Sequence, residues 1–378
     1  MAERLVWARV MRPRTPLVYL DFNHLIYLAR VNSGEKPGPK GYRELFDAAT
    51  LAVSEGRAVF PLSAEHLWEM GGVRDPRQRK HLADVMEELS GFQYMLGRCE
   101  IAQLEIDAGL EDIFGETPPP IPLPLIRPTF GWAFGMRGGL SLRDQDGGDA
   151  SAAVRKQMGI EYHDRIMRTA NYVMERGMLE GPGDEEIPIL REKYGYAPER
   201  ARKTHESRLA FELDLTQRLA EEPKWRRGRL RDVVSAREFA HEWLDVITRA
   251  NLERIRQERP ALKLDDDEGR RFMAAMPHTQ VAITIKTRYH RDPGHKWTVN
   301  DITDIDAISV AYAYCDALFT DRAIRAALAN AKELRKFATF LPRTPSELTD
   351  WLNQQPAMVA PDLLVPHPRG AEPQSSGV

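Results

Sequence analysis

Between Thr298 and Arg325 the chain reads TVNDITDIDAISVAYAYCDALFTDRAIR. Asp301, Asp304, Asp306, Asp316 and Asp321 are set there in a stretch otherwise patterned as buried helix, strand and turn. Carboxylates crowded into such a stretch repel one another unless cations sit among them. Asp304 and Asp321 are placed to form half of a divalent-metal site, and the other half has to come from the opposite end of the chain.

That end repeats the plan of a strand closing on an acid. PLVYLD (16–21) is an apolar run too short for a helix and rich in Val, Tyr and Leu, so it predicts a buried strand ending at Asp21. FNHLIYLARV follows with Leu25, Ile26, Leu28 and Ala29 at helical spacing. Asp21 is thus expected at the carboxyl end of a strand, where open α/β sheets bind ligands. GEKPGPKG (34–41) reads as a loop. YRELFDAATLAVSEG is an amphipathic helix stopped by Gly56, RAVFPLS a second short strand, and AEHLWEM a helix with Ser63 as N-cap. In the C-terminal part CDALFTD is a strand ending in an acid, AIRAALANAKELRK a helix and FATFL a strand. TPSELTDWLNQ is a helix that Thr344 or Ser346 can cap, with Pro345 in its first turn. Strands alternating with helices predict a parallel sheet with crossover helices.

The character changes from about residue 75 to 290. Helical, charged patterns dominate, interrupted by a proline-rich run (116–128), a glycine-rich loop (131–149) and the basic knot PKWRRGRLR (223–231). No fixed repeat appears, and the charge reads as solvated helix faces. VAITIKTRYH (281–290) fits either a strand or a helix end. The expected organisation is an α/β core whose halves, 1–74 and 291–355, flank a mainly helical insertion, 75–290, with a disordered Pro-, Gly- and Ser-rich tail at 356–378.

Composition narrows the class. At 378 residues, 42% apolar and 29% charged, the chain is expected to be soluble and globular. A formal net charge of -3 excludes a chain that is basic overall but leaves room for a local basic patch. Two distant cysteines, Cys99 and Cys315, build neither a disulfide framework nor a thiolate zinc site, which points to a reducing cytosol. The charged N-terminus lacks the apolar region of a signal peptide, and no stretch approaches the ~20 apolar residues of a membrane span.

Asp21 and Asp321 end strands, while Glu69 and Asp304 lie on neighbouring helices. Acids so placed can converge at the carboxyl edge of one sheet and hold a hard cation, typically Mg²⁺ or Mn²⁺. Such an ion polarises a phosphate and lowers the pKa of a bound water. Each acid also has a structural reading. Asp301, Asp304 or Asp306 suits a helix N-terminus, and Asp316 suits the orientation of a turn.

YLDFNHLIYL, LSAEHLWEM and NDITDIDAISVAYAYCDALFTDRAI together resemble the successive motifs of PIN-domain ribonucleases. The first gives Asp21 with Asn23, the second Ser63 with Glu69, Glu65 competing for that acid. The third and fourth give Asp304, then Thr320 and Asp321. Where some bacterial PIN-like proteins carry a histidine in the third motif, this chain has Ala307. The match covers roughly residues 14–72 and 296–355. The resemblance implies a PIN-like three-layer fold with a central parallel sheet. It implies Mg²⁺- or Mn²⁺-dependent cleavage of single-stranded or structured RNA, with Asp21, Glu69, Asp304 and Asp321 as catalytic ligands and Asp301 and Glu65 in reserve. Asn23 and Thr320 would support the acids by hydrogen bonds. Arg322 and Arg291 would meet substrate phosphate, and a homo-oligomer or an antitoxin-like partner is compatible with this class.

Other residues carry less. His24 divides between substrate contact and a helix surface, His66 reads as structural, and the loop of His290, Arg291, His295 and Lys296 could contact phosphate. Trp225 among arginines suits stacking and phosphate contact, or an exposed linker. Two rival functions are a non-catalytic PIN-like scaffold that binds RNA or a protein through its insertion, and a haloacid-dehalogenase-like phosphatase built on YLDFN. The latter chemistry wants an aspartate where Asn23 stands.

Overall fold

A computed structural model describes residues 5–34, 38–117, 122–183, 185–262, 266–357 and 365–366. The basic lead-in forms a strand, β1 (Val10–Arg12). The first motif region gives β2 (Val18–Leu20), α1 (Phe22–Ser33), α2 (Tyr42–Ser54), α3 (Ala64–Gly72) and α4 (Pro76–Ser90). β3 (Tyr94–Met95), α5 (Arg98–Phe114), β4 (Leu123–Pro124), β5 (Ile126–Arg127) and α6 (Phe130–Ala133) follow. The charged middle is helical: α7 (Ser151–Met158), α8 (Ile160–Glu180), α9 (Ile187–Tyr194), α10 (Pro198–Glu221), α11 (Leu230–Glu238), α12 (Leu244–Arg256), α13 (Asp266–Ala275) and α14 (Pro277–Arg291). A π turn at Phe239–Trp243 joins α11 to α12. α15 (Val299–Tyr314), β6 (Ala317–Phe319), α16 (Arg322–Asn330) and α17 (Pro345–Asn353) complete the core. β7 (Val365–Pro366) pairs antiparallel with β1, inside the segment expected to be an unstructured tail. The rest of 358–378, and residues 35–37 of the expected 34–41 loop, lie outside the described residues.

The strands are short, but their pairing is ordered. β2 and β6 form a parallel ladder from Val18 opposite Ala317 to Leu20 opposite Phe319. Single parallel bridges extend it, Leu17 to Val59 and Leu62 to Tyr94 on one side, Ala317 to Phe340 on the other. Across the sheet the segments therefore run 94, 59–62, β2, β6, 340, all in one direction. The expected second strand, RAVFPLS, survives only as two bridges. Pro61 sits inside it and offers no N–H to a ladder.

Alternation along the strands sends side chains to both faces. Val18, Leu20, Ala317 and Phe319 join a core with α1, α2, α4 and α17. Leu17, Tyr19 and Leu318 join another with α14, α15 and α16. The result is a mixed α/β arrangement, mostly helical, with helices on both sides of a parallel sheet.

The middle region shares these cores. Ile101, Leu125, Trp132, Val281, Ala282 and Ile285 lie in the same buried cluster as Ile305 and Ile308 of α15. Its charge is not confined to solvated faces either. Asp306 of α15 receives Arg98 at 3.1 Å and Arg208 at 2.8 Å. Both arginines also reach Glu242, at 3.0 and 2.7 Å. Nearby, Lys286 bridges Glu212 at 2.8 Å and Glu238 at 2.6 Å, and His290 pairs with Glu212 at 2.8 Å. This buried chain of charge stitches α5, α10, α11, α14 and α15 together. Among the described residues, no helix is long and apolar enough to cross a membrane.

Candidate functional site

β2 and β6 run side by side and end together, so the next residues bring Asp21 and Asp321 to the same edge of the sheet. This is also where the order of segments reverses, the crevice in which open α/β sheets place their ligands. Asp21 is buried, its amide donates to Phe319 O at 2.9 Å, and Thr320 Oγ1 donates to its Oδ2 at 3.0 Å. Burial pushes the Asp21 carboxyl above its usual range, the Thr320 hydroxyl opposes this, and the Asp321 charge adds to the rise. Asp321 caps α16 by accepting from the amides of Ala323 and Ile324 at 2.5 and 3.1 Å, both on Oδ1.

α3 brings the third acid. Ser63 caps the helix, and His66 closes a capping box with the Ser63 backbone. His66 Nδ1 accepts from Ser63 N at 3.1 Å, which puts its proton on Nε2, 2.9 Å from Leu20 O. Burial holds this imidazole down at about 4, so it stays neutral. The bond to Leu20 pins the start of α3 to the end of β2, and Glu69 follows one helical turn later. Burial raises Glu69 to about 9, with further push from the charges of Asp304, Asp21 and Glu65. Asp304, on α15, is raised to about 8 by burial and by Asp21, Asp321 and Asp301. Four acids from four separate segments are thus linked through the fields of Asp21 and Asp304. Among the described residues, no group of three or more His, Cys, Asp or Glu is already gathered tightly enough to hold a metal ion. The acids are near enough to raise one another's pKa without forming such a group.

The remaining candidates divide. Asp301 closes the capping box of α15, its Oδ2 accepting from Thr298 N at 2.6 Å and Oγ1 at 2.8 Å. Asp306 belongs to the buried ion pairs, on the face of α15 turned from Asp304. Asp316 takes Arg12 at 3.1 Å and the Leu17 amide at 2.8 Å, so it fixes the start of β2. Glu65 is raised by burial and then by Asp306, and it lines a small pocket with Ser63, Arg98 and Ala307. His24 turns inward, its Nδ1 2.6 Å from Tyr42 Oη and its ring stacked 3.7 Å from Phe319. Asn23 is exposed on the first turn of α1, Arg322 on the first turn of α16, and Arg291 at the end of α14.

One residue at the site escaped the sequence. Tyr289, in the last turn of α14, is raised by burial and by the charges of Asp301, Asp321, Asp304 and Asp21. Its segment fitted strand and helix equally, so its side chain had no predicted direction. A cleft of about 610 Å³ is lined by Arg9, Asp107, Glu111, Arg254 and Arg259 and by none of the four acids.

Comparison with protein-family models, with curated proteins and with solved structures returned no match.

Proposed function

We propose that this chain is a PIN-like, metal-dependent nuclease, an endoribonuclease that hydrolyses phosphodiester bonds at Asp21, Glu69, Asp304 and Asp321. The observation that carries the reading is that acids from both ends of the chain, at and near the edge where β2 and β6 end, lie close enough to raise one another's pKa. The donor set is all oxygen, which suits Mg²⁺ or Mn²⁺ and not a thiolate- or imidazole-seeking metal. When bound, such an ion polarises a phosphate and acidifies a water molecule.

The chain's own groups set the geometry. Thr320 orients Asp21 through its hydrogen bond, and the α16 amides hold one oxygen of Asp321, leaving Oδ2 directed by that grip. Glu69 and Asp304 are carboxyls that must shed protons to become ligands, which ties metal binding to pH. Arg322, exposed next to Asp321 on the first turn of α16, and Arg291, exposed at the end of α14, supply positive charge for phosphate.

The test is cleavage of RNA in Mg²⁺ or Mn²⁺. Asp21→Asn and Asp321→Asn are each expected to abolish it while leaving the far-UV circular dichroism intact. Activity that persists in both variants overturns the reading. A non-catalytic scaffold, in contrast, takes up no Mg²⁺ in calorimetry.

A further inference from the structure

We propose that a cationic face built by α14, α16 and the basic knot 223–231 carries the RNA backbone away from the acids, and that this face supplies most of the binding. The proposal rests on the nuclease reading for what happens to the strand at the acids. Its own ground is the placement of charge.

α16 starts at the sheet edge, where Asp321 caps it, and leads into a 3₁₀ turn, Lys332–Phe337. α14 packs beside α16 and ends near the acids, with Tyr289 in its last turn. Away from the acids Arg231 ties the two elements together. It donates to Gln280 at 2.7 Å and Thr284 at 3.0 Å on α14, and to Glu333 at 2.9 Å on the 3₁₀ turn. Arg231 closes the knot PKWRRGRLR, which opens with a second 3₁₀ turn, Pro223–Arg226. Its Trp225 is neither a free stacking ring nor part of a loose linker. The indole packs on the cluster of Leu215, Leu230, Val234 and Ile283, and Ile283 belongs to α14. The knot is thereby seated against α14.

From Thr284 the same face of α14 continues one and two turns later to Arg288 and Arg291, both exposed. Arg322 is exposed on the first turn of α16, Arg335 on the 3₁₀ turn after it, and Arg227 and Arg229 in the knot. Segments 223–231, 287–296 and 322–336 hold thirteen Lys and Arg against two acids, Asp292 and Glu333, in a chain whose net charge is -3. Glu333 is taken by Arg231, and Asp292 accepts from the Gly294 amide at 2.9 Å. Arg227, Arg229, Arg288, Arg322 and Arg335 make no ion pair among the described residues.

Like charge gathered in this way works against the folded state through self-repulsion, and a polyanion offsets it. From Thr284 to Arg291 alone α14 advances about 10 Å. A substrate confined to the scissile phosphate would leave the knot idle. A nucleic-acid backbone would not, because its charge repeats along a line. An acidic polypeptide could meet the same cations, but it gives no reason for the face to continue from the edge that holds the acids.

The experiment measures binding of the whole chain to a fluorescein-labelled RNA oligonucleotide by anisotropy, in EDTA and across a range of KCl, with cleavage in Mg²⁺ followed separately. The double variant Arg227→Ala, Arg229→Ala is expected to weaken binding about tenfold or more. The slope of log affinity against log salt should fall by about 1.4, the share of two phosphate contacts on a single strand. Arg335→Ala should lower that slope by about 0.7. Arg200→Ala with Lys203→Ala, exposed at the end of α10 away from the knot, should leave affinity and slope unchanged. In Mg²⁺ the knot variant should raise KM and keep kcat. Thermal unfolding of each variant reads its fold, and Arg335→Ala tests the face independently of the knot. Unchanged affinity and slope in the knot variant and in Arg335→Ala overturn the proposal, as does an equal loss in the α10 control. Binding of polyglutamate as tight as that of RNA overturns it in favour of an acidic polypeptide. Cleavage with binding indifferent to the knot removes the face and leaves the nuclease reading. Binding that follows the knot, without cleavage in any divalent metal, keeps the face and removes the nuclease reading.

Discussion

Glu69 and Asp304 keep their protons where carboxyls are ordinarily ionised, at about 9 and about 8 respectively. Both values lie above that of an unfolded carboxyl, about 4. The folded protein therefore holds these protons more tightly than the unfolded chain does. The stability they contribute is full below about pH 4 and drains away as pH rises towards 8 and 9. In a chelating buffer, the thermal midpoint is expected to fall between pH 5 and pH 9. Mg²⁺ should raise it more at pH 8.5 than at pH 6, and Asp304→Asn should flatten the dependence. A chelated midpoint that holds level across that range would contradict the mutual crowding of these acids. At this scale Asp21 and Asp321 were legible in the sequence because each closes an apolar run. The work of Asp306 was not, because Arg98 and Arg208 come from elements remote in the chain.

α15 is a two-sided element: one face presents Asp304 to the acids, and the other anchors Asp306 to two arginines. Arg208 and Asp306 keep only 14% and 7% of their side-chain surface, so removing Arg208 leaves the buried carboxylates of Asp306 and Glu242 to share the single guanidinium of Arg98. Arg208→Ala is expected to cost about 3–5 kcal/mol in urea unfolding. Replacing Arg208 and Asp306 together by apolar residues is expected to cost less than the single change. A loss in Arg208→Ala no larger than that of an exposed pair such as Arg202–Glu206 would show that the clamp is idle. The expectation of solvated charge holds on that outer face of α10 and fails within. α14 shows why a sequence can hide an element. Val281, Ala282, Ile283, Thr284, Ile285, Lys286 and Thr287 are all buried, so the helix has no dry and wet face and the period that announces a helix disappears. α1, α2 and α17 each have one wet face, and their pattern was readable.

For the whole molecule, among the described residues the two halves of the sheet meet only through β2 and β6, and the long segment between them is built into the same core. Composition marks a change of character from about residue 75 to 290. The integration of that segment was not legible, since composition says nothing of what packs on what. Excising residues 98–275 and joining the ends by a short linker is expected to abolish cooperative unfolding, because Ile101, Leu125 and Trp132 fill the core beside α15. A sharp thermal transition in the shortened chain would show instead that the core stands alone.

The π turn at Phe239–Trp243 bears on which changes of chain length the fold can absorb. Such a turn holds one residue more than a regular helix needs, while the residues beyond it keep their direction. Downstream, Ile247 is buried, Asn251 exchanges bonds with Leu262 at 3.1 and 3.0 Å, and Arg254 grips Glu116 at 2.9 Å. Deleting the exposed Ala240 is expected to regularise the helix and leave all three in their seats. Deleting Thr248, inside the regular helix, rotates the remainder of α12 by about 100° and pulls Asn251 and Arg254 away together. The slack of this long helical run is thus a single residue, stored at one address, and paired deletions read by thermal unfolding would locate it.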